Sequence, residues 1–427
     1  MDDLEVIDKI SKIPKSSWYS VGNASYSWFL DSYDNTMYSI LLAITIVMFH
    51  TNLFVTTIIL WSMLISKAIG TFVFGAISDK IGRKKLMVFS IVWISIFTFA
   101  TGLSFNIYSF WILRILYGIG FGATWSVAAT YAIEKFPTKF RGLGSGIMMF
   151  GFDFAYVGTA FIAGFFLVFP DGWRYAWFSG LIPGIIGLLL MIKGKESEIW
   201  VKDVSSTRVS IKENIKTLFN NYNRKTSTLI FIFMIALNMN AWALWTVYPD
   251  FLETVKHVPA SSIYIFIGFW TLGSVLGKPL LGQLSERTGR VRMFIIAMIA
   301  AIILAPFWTS LPATAVLFPI IFLMGFLPNG CWGMVPAFIG ERFVTQNRGA
   351  GEGLGWLATS FSGLAPFLIA YLKPTVGFGS AITIMIVATA LPTLIVVFLI
   401  KEYKGKNLLG IKEDMTIKIN TGDEIYG

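Results

Sequence analysis

Twelve apolar runs of about 20 residues dominate the chain, each long enough to cross a ~30 Å hydrocarbon core as an α-helix. They fall at 24–49, 53–77, 86–103, 107–133, 143–168, 175–192, 228–249, 262–284, 293–309, 313–339, 351–372 and 377–400. Within lipid every backbone N–H and C=O must be satisfied inside its own segment, so such runs become helices. The expected fold class is therefore an all-α integral membrane protein with twelve transmembrane helices. Only 14% of the 427 residues are charged, against about a quarter in soluble proteins, and that nearly excludes a soluble enzyme. One cysteine, Cys331, and two histidines, His50 and His257, supply neither a disulfide framework nor a zinc cluster. No metal, no cofactor and no nucleophile–base pair is expected, hence no enzyme.

The net charge of +10 reflects topology rather than nucleic-acid binding. Twelve spans put both ends on one side. Twenty-eight of the 34 Lys and Arg then share that side, and only Arg174, Lys256 and Lys373 lie on the other. Lys67, Arg114 and Lys278 lie inside spans. The positive-inside rule makes the basic side cytoplasmic, in a cell (plasma) membrane. The one long internal polar stretch divides the spans six and six. This gives a cytoplasmic segment 1–23, an N-terminal six-helix bundle 24–192, a cytoplasmic linker 193–227, a C-terminal bundle 228–400 and a cytoplasmic tail 401–427. A surface helix is expected near 209–219, with Ile211, Ile215 and Leu218 on one face.

The halves repeat. Gly75-Ala-Ile-Ser-Asp-Lys-Ile-Gly-Arg83 matches Gly282-Gln-Leu-Ser-Glu-Arg-Thr-Gly-Arg290 at an offset of 207. The same offset carries Gly118 to Gly325, Trp125 to Trp332, Glu134 to Glu341, and Arg141-Gly142-x-Gly144 to Arg348-Gly349-x-Gly351. Parallel six-span repeats are a transporter architecture. Over nearly its whole length the chain resembles the major facilitator superfamily, whose loop motif between spans two and three matches Gly75 to Lys85. The physical reading is a gate that shuts the cytoplasmic mouth. Its expected members are Gly75, Asp79, Lys80, Gly82, Arg83, Lys85, Glu134, Arg141, Glu286, Arg290, Glu341 and Arg348. Asp79 can pair with a cation or a helix N-terminus across the interface of the halves, while Arg83 and Lys85 face Glu134 and Glu341.

Charges inside spans are costly and mark sites. At 1.5 Å per residue, Asp34, Arg114 and Asp153 reach a common layer about 15–20 Å from the cytoplasmic face, with Asp31 a turn from Asp34. An Arg–carboxylate pair there can bind and release a proton as the pair forms and parts. Lys67 and Lys278, nearer the cytoplasmic ends, read as snorkelling residues. Asp31-Ser-Tyr-Asp34 resembles the span-one D-G-[FY]-D signature of proton-coupled metabolite symporters, among them sialate/lactate and aromatic-acid symporters. Arg114-x-x-x-Gly118-x-Gly120-x-Gly122 resembles the superfamily's span-four motif. The resemblance implies proton coupling by Asp34 and Arg114, with Asp31 and Asp153 as further candidates.

In span seven Asn238, Trp242 and Trp245 share a helical face that suits a cavity wall. With Asn240, Tyr248, Trp332 and Arg114 they form the expected substrate site, and Asn329, Trp356 and Ser360 are further candidates. Asn238 and Tyr248-Pro249 keep a spacing found in the sialate/lactate family, but Trp242 and Trp245 replace its polar residues, favouring an acid larger or more apolar than lactate. The leading reading is a monomeric secondary transporter that carries a small-molecule substrate, an organic anion such as a carboxylate, together with protons; sodium stays open. It works in the lipid bilayer with no nucleic-acid partner. A proton-coupled sugar porter is second. A drug/proton antiporter fits less well, since Gly142 to Val168 lacks the proline of that group's span-five motif. A non-transporting sensor would need a larger cytoplasmic domain than the short tails expected here.

The charge split predicts that single cysteines at Ser205 and Ser261, in a Cys331→Ala background, label from opposite membrane faces. Labelling of Ser205→Cys by an impermeant reagent outside intact cells would reverse the topology.

Overall fold

The computed structural model describes residues 7–204, 210–259, 262–403 and 408. Ser205, Ser261, Arg208 and the tail lysines Lys404, Lys406, Lys412 and Lys418 lie outside those residues. Among the described residues the secondary structure is helical throughout. In the first half the long helices are α1 Lys15–Met48, α2 Leu53–Ile81, α3 Arg83–Thr101, α4 Ile107–Glu134, α5 Arg141–Phe166 and α6 Gly172–Ile192. The second half follows with α7 Arg224–Thr254, α8 Ile263–Thr288, α9 Arg290–Ser310, α10 Leu317–Gly340, α11 Arg348–Val376 and α12 Phe378–Leu399.

Eleven of these are long and apolar enough to cross a membrane. The exception is α1. It is 34 residues long, but Asn23, Ser27, Asp31, Ser32 and Asp34 make it too polar to read as a span by composition, and all five are buried against its neighbours. It starts nine residues before the expected position 24, because Pro14 supplies a preset φ at its N-cap and Ser17 and Ser20 find buried places. Four spans are locally broken, the first of them α6, which stops at Phe178 and resumes at Leu181. α7 interrupts after Trp245 and resumes at Tyr248, where Pro249 takes the first turn. α10 loosens into a π turn and then a 3₁₀ turn over Gly325–Met334, around Pro328, which lacks an N–H for the ladder. α11 tightens at Ala358–Phe361.

In the first bundle α2 and α3 pack on α4, and α1 packs on α5; in the second α7 and α9 pack on α12, and α8 on α10. The bundles meet along α2–α11 and α5–α8. Glycine decides how closely. A Cβ at Gly75 would sit 2.2 Å from the Gly349 carbonyl oxygen, and one at Gly282 would sit 2.2 Å from that of Gly142. Backbone touches backbone at both crossings, on the face where α1 begins and α12 ends, here called the basic face.

The linker contributes a helix Ile211–Leu218, opened by a reciprocal cap in which Ser210 Oγ accepts from Glu213 N and the Glu213 carboxylate accepts from Ser210 N. Leu218 is buried, and Ile211 and Ile215 pack against the core. The same helix ties both bundles, since Asn214 donates to Asp79 of α2 and Thr217 accepts from Asn347 beside α11.

Adding one methyl at either crossing therefore holds the bundles apart. Gly75→Ala and Gly282→Ala are expected to fold yet fail to close at the basic face. A cysteine at Ser145 (Cys331→Ala background), buried in the wild-type interface, should then react several-fold faster with a soluble maleimide. Unchanged reactivity would refute the close-approach role.

Candidate functional site

Two buried ion pairs lie one turn apart on α1. Arg114 Nη1 is 2.7 Å from Asp34 Oδ1, and Thr98 donates to the other Asp34 oxygen at 2.6 Å. The Arg114 guanidinium also donates to Thr101 Oγ1 and to the Phe97 carbonyl, and its carbon lies 4.5 Å from the Trp177 ring. A second pair was not expected. Lys67 Nζ is 2.5 Å from Asp31 Oδ1 and 3.0 Å from Asn35 Oδ1, while Tyr117 donates to Asp31 at 3.0 Å. Lys278 does not snorkel either. It crosses from α8 to Asp153 on α5 at 2.6 Å, and Ser274, itself bonded by Asn329, donates to the same Asp153 oxygen at 2.9 Å. Both lysines are 3% exposed, so helical reach toward water gives way to a counter-ion within the protein.

All partners of Arg114 belong to the first bundle and its exposure is 0%, so it is shut off from any solute in this state. The span-seven residues divide. Trp245 is partly exposed and reaches across the interface to Tyr156 of α5 (ring centroids 4.8 Å) while touching Trp270 of α8 (5.4 Å). Trp242 is also partly exposed, whereas Asn238 donates to Met234 O of its own helix. Asn240 turns away to α12, donating to Ile386 O and Thr389 Oγ1, and Tyr248 stacks on Trp308 of α9 at 4.2 Å. The last two are packing contacts within the second bundle rather than cavity wall. Trp332 is buried, 7% exposed.

Below the ion pairs, aromatic rings from three helices meet. Trp125 of α4 stacks on Trp356 of α11 at 4.1 Å, and Trp28 of α1 touches both, at 4.9 and 5.3 Å. Trp28 stands one turn before Asp31, so this cross-bundle cluster separates the buried ion pairs from the basic face. No single-helix pattern announces it.

The gate motif folds into two related clusters at the basic face. Asp79 accepts from the backbone N–H groups of Gly349 and Ala350, both at 2.9 Å, so the end of α2 caps the start of α11. Arg83 links Asp79 (3.0 Å) to Glu134 (3.1 Å), and Arg348 from the other bundle completes the set at 2.6 Å from Glu134. In the second cluster Glu286 accepts from Gly142 N at the start of α5, and Arg290 binds both Glu286 (2.8 Å) and Glu341 (2.6 Å). Arg141 crosses over to Glu341 at 3.3 Å. Burial works against the Glu341 charge, but Arg290 and Arg141 together hold its carboxyl below the usual range. Glu341 thus faces Arg290 and Arg141 rather than Arg83. Lys80 and Lys85 are exposed and stand outside both clusters, which corrects their expected place in the gate. Gly82 has φ +106°, a region open to glycine, and lets Glu196 accept from Arg83 N and Lys84 N at the start of α3. Glu402 does the same for Val291 N beside Gly289. An offset of 206 connects these two acids, a signal the sequence carries but the motif match passes over.

Helices in two repeat-related bundles, with ion pairs buried at depth and ionic clusters joining the bundles at one face, are the architecture of a membrane transporter. A family model described as Major Facilitator Superfamily matches residues 26–370, and the chain belongs to that superfamily. It is 28% identical over 349 residues to the sialic acid transporter NanX of Escherichia coli, covering 80% of this chain and 83% of the relative. It is 29% identical over 346 residues to a probable 4-methylmuconolactone transporter of Cupriavidus pinatubonensis, with 78% and 80% covered. Among solved structures the proton:xylose symporter XylE superposes with a TM-score of 0.75 over 93% of this chain and 98% of its own, at 18% identity.

If the clusters clamp the mouth, Asp79→Asn and Arg83→Ala should insert normally yet transport at least about tenfold more slowly. Each removes charge-assisted hydrogen bonds of about 1.5–3 kcal/mol from one conformation only. Wild-type turnover at equal membrane levels would leave the charges a purely topological role.

Proposed function

We propose that the chain is a secondary transporter that carries a small organic anion, a carboxylate, together with protons by alternating access between two states. The basic face is cytoplasmic in this reading, and the described state is shut there. The observation that carries the proposal is the double ion pair on α1, Asp34–Arg114 and Asp31–Lys67, buried to 2% exposure or less at the two acids. Removing one partner of such a pair costs about 3–5 kcal/mol while the other stays charged. Protonating the acid avoids that cost, so proton uptake and pair opening are linked.

The acid named in the sialic acid relative supports an anionic substrate. Lys67 and Lys278 are the cations best placed for it. A substrate carboxylate can take over Lys67 from Asp31, or Lys278 from Asp153, leaving the displaced acid to be protonated. Trp242 and Trp245 then offer ring surface to an apolar body, and Asn35 and Asn238 offer amides. Arg114 acts in this scheme through Asp34 rather than as a substrate ligand.

Proteoliposomes with an imposed pH gradient and a panel of radiolabelled carboxylates and sugars test the reading. Gradient-driven uptake of a carboxylate is expected; accumulation of sugars alone would overturn the substrate class. Asp34→Asn should abolish uphill accumulation while sparing exchange, which moves no net proton, and Arg114→Ala should be worse. Accumulation by Asp34→Asn at wild-type levels would move the coupling role to Asp31 or Asp153.

A further inference from the structure

Each gate cluster is balanced in charge. Asp79 and Glu134 meet Arg83 and Arg348; Glu286 and Glu341 meet Arg290 and Arg141. One acid is left over. Glu352 stands on α11 a turn beyond Arg348, about 6 Å in from the helix start, and is 0% exposed. Among the described residues neither of its carboxyl oxygens makes a hydrogen bond of normal geometry; the Gly340 backbone amide approaches them but does not align. It packs on the bare backbone of Gly340 at the end of α10, where a Cβ would lie 3.0 Å from Oε1 and 2.2 Å from Ile133 of α4.

The groups around it offer only partial compensation, from Arg348 and the Gly340 backbone, against its complete burial. On α2 Asp79 is bound to backbone amides and to Arg83 of α3, while Glu134 of α4 holds Arg83 and Arg348. On the α5 and α10 side Arg141 and Glu341 hold each other, and Arg342 donates to the carbonyls of Phe338 and Lys401. The buried face of α7 from Arg224 to Trp245 carries no ionisable residue, and Lys212, Glu213 and Lys216 of the linker helix are exposed. Arg348 is the nearest cation, but its Nη1 is committed to Glu134 at 2.6 Å and its Nε to Gly340 O, and its Nη2 lacks a partner. An isolated carboxylate in such a place is strongly disfavoured, whereas the neutral acid is tolerated.

We infer that Glu352 is a second proton-carrying group, protonated while the mouth at the basic face is shut and ionised when it opens. Parting the bundles takes Glu134 from Arg348, whose neighbour at i+4 is Glu352. The carboxyl O–H then gives its proton to water entering from the basic face, and the carboxylate replaces Glu134 as partner of Arg348. Closing reverses the exchange. The device exists in one half only, because offset 207 places Ser145 at the matching position after Arg141, where its hydroxyl accepts from Ala337 N at 3.3 Å. The inference rests on the alternating-access reading but on neither its substrate nor its Asp34 coupling.

Spin labels at Lys139→Cys and Gln346→Cys, in a Cys331→Ala background, report the width of the mouth without any substrate. The shut state holds one more proton, so raising pH must favour opening, by up to about tenfold in the open-to-shut ratio per pH unit across the titration. Wild type and Asp34→Asn should both show this rise. Glu352→Gln, permanently neutral, should stay shut and lose it, while Glu352→Asp, still titratable, should keep it. A wild-type pH response in Glu352→Gln would overturn the inference. So would its loss in both Glu352 variants, which marks a packing role, or its loss in Asp34→Asn alone, which assigns it to the deeper pair.

Discussion

A charge in hydrocarbon must bring its counter-ion with it, and this constraint organises the molecule from the middle of the membrane to its edge. Three cations stand at depth, Lys67, Arg114 and Lys278, and each has an acid of its own in Asp31, Asp34 and Asp153. Two of the pairs are internal to the first bundle; the third spans the interface. The placement separates their tasks. A pair inside one bundle can change protonation without moving the bundles, whereas the Asp153–Lys278 pair is strained or broken by any motion that separates α5 from α8.

The barrier at the basic face has two layers of different chemistry. The outer one is ionic and is drawn tight by glycine crossings that let two helix backbones touch. The inner one is the tryptophan cluster of Trp28, Trp125 and Trp356, which is apolar and less directional. The linker helix adds a third tie through Asn214 and Asn347, so the segment that joins the bundles also takes part in holding them together.

Much of this was legible in the sequence, and what was missed has physical causes. Apolar run length located the helices because bilayer thickness sets that length, and the offset of 207 exposed the two gate clusters because each copy repeats the same local chemistry. The partners of Asp31 and Asp153 were not legible. Lys67 and Lys278 sit where a lysine can snorkel, and only the packing of α2 on α1 and of α8 on α5 shows that they turn inward. Asn240 and Tyr248 were misplaced for a related reason. Periodicity tells which residues share a face of α7, but not whether that face meets the cavity or α12. Glu352 gave no signal at all, since its meaning lies in the absence of a partner.

The arginines at the starts of α5 and α11 trade places, Arg141 serving Glu341 and Arg348 serving Glu134. Each half thus carries an acid whose second cation resides in the other. A six-helix half on its own would leave Glu134 or Glu341 short of a cation and the glycine faces at Gly75 or Gly282 bare. The present chain is in this sense a covalently joined dimer. Two separate half-length chains could meet the same electrostatic need only by pairing with each other, which the linker here makes permanent.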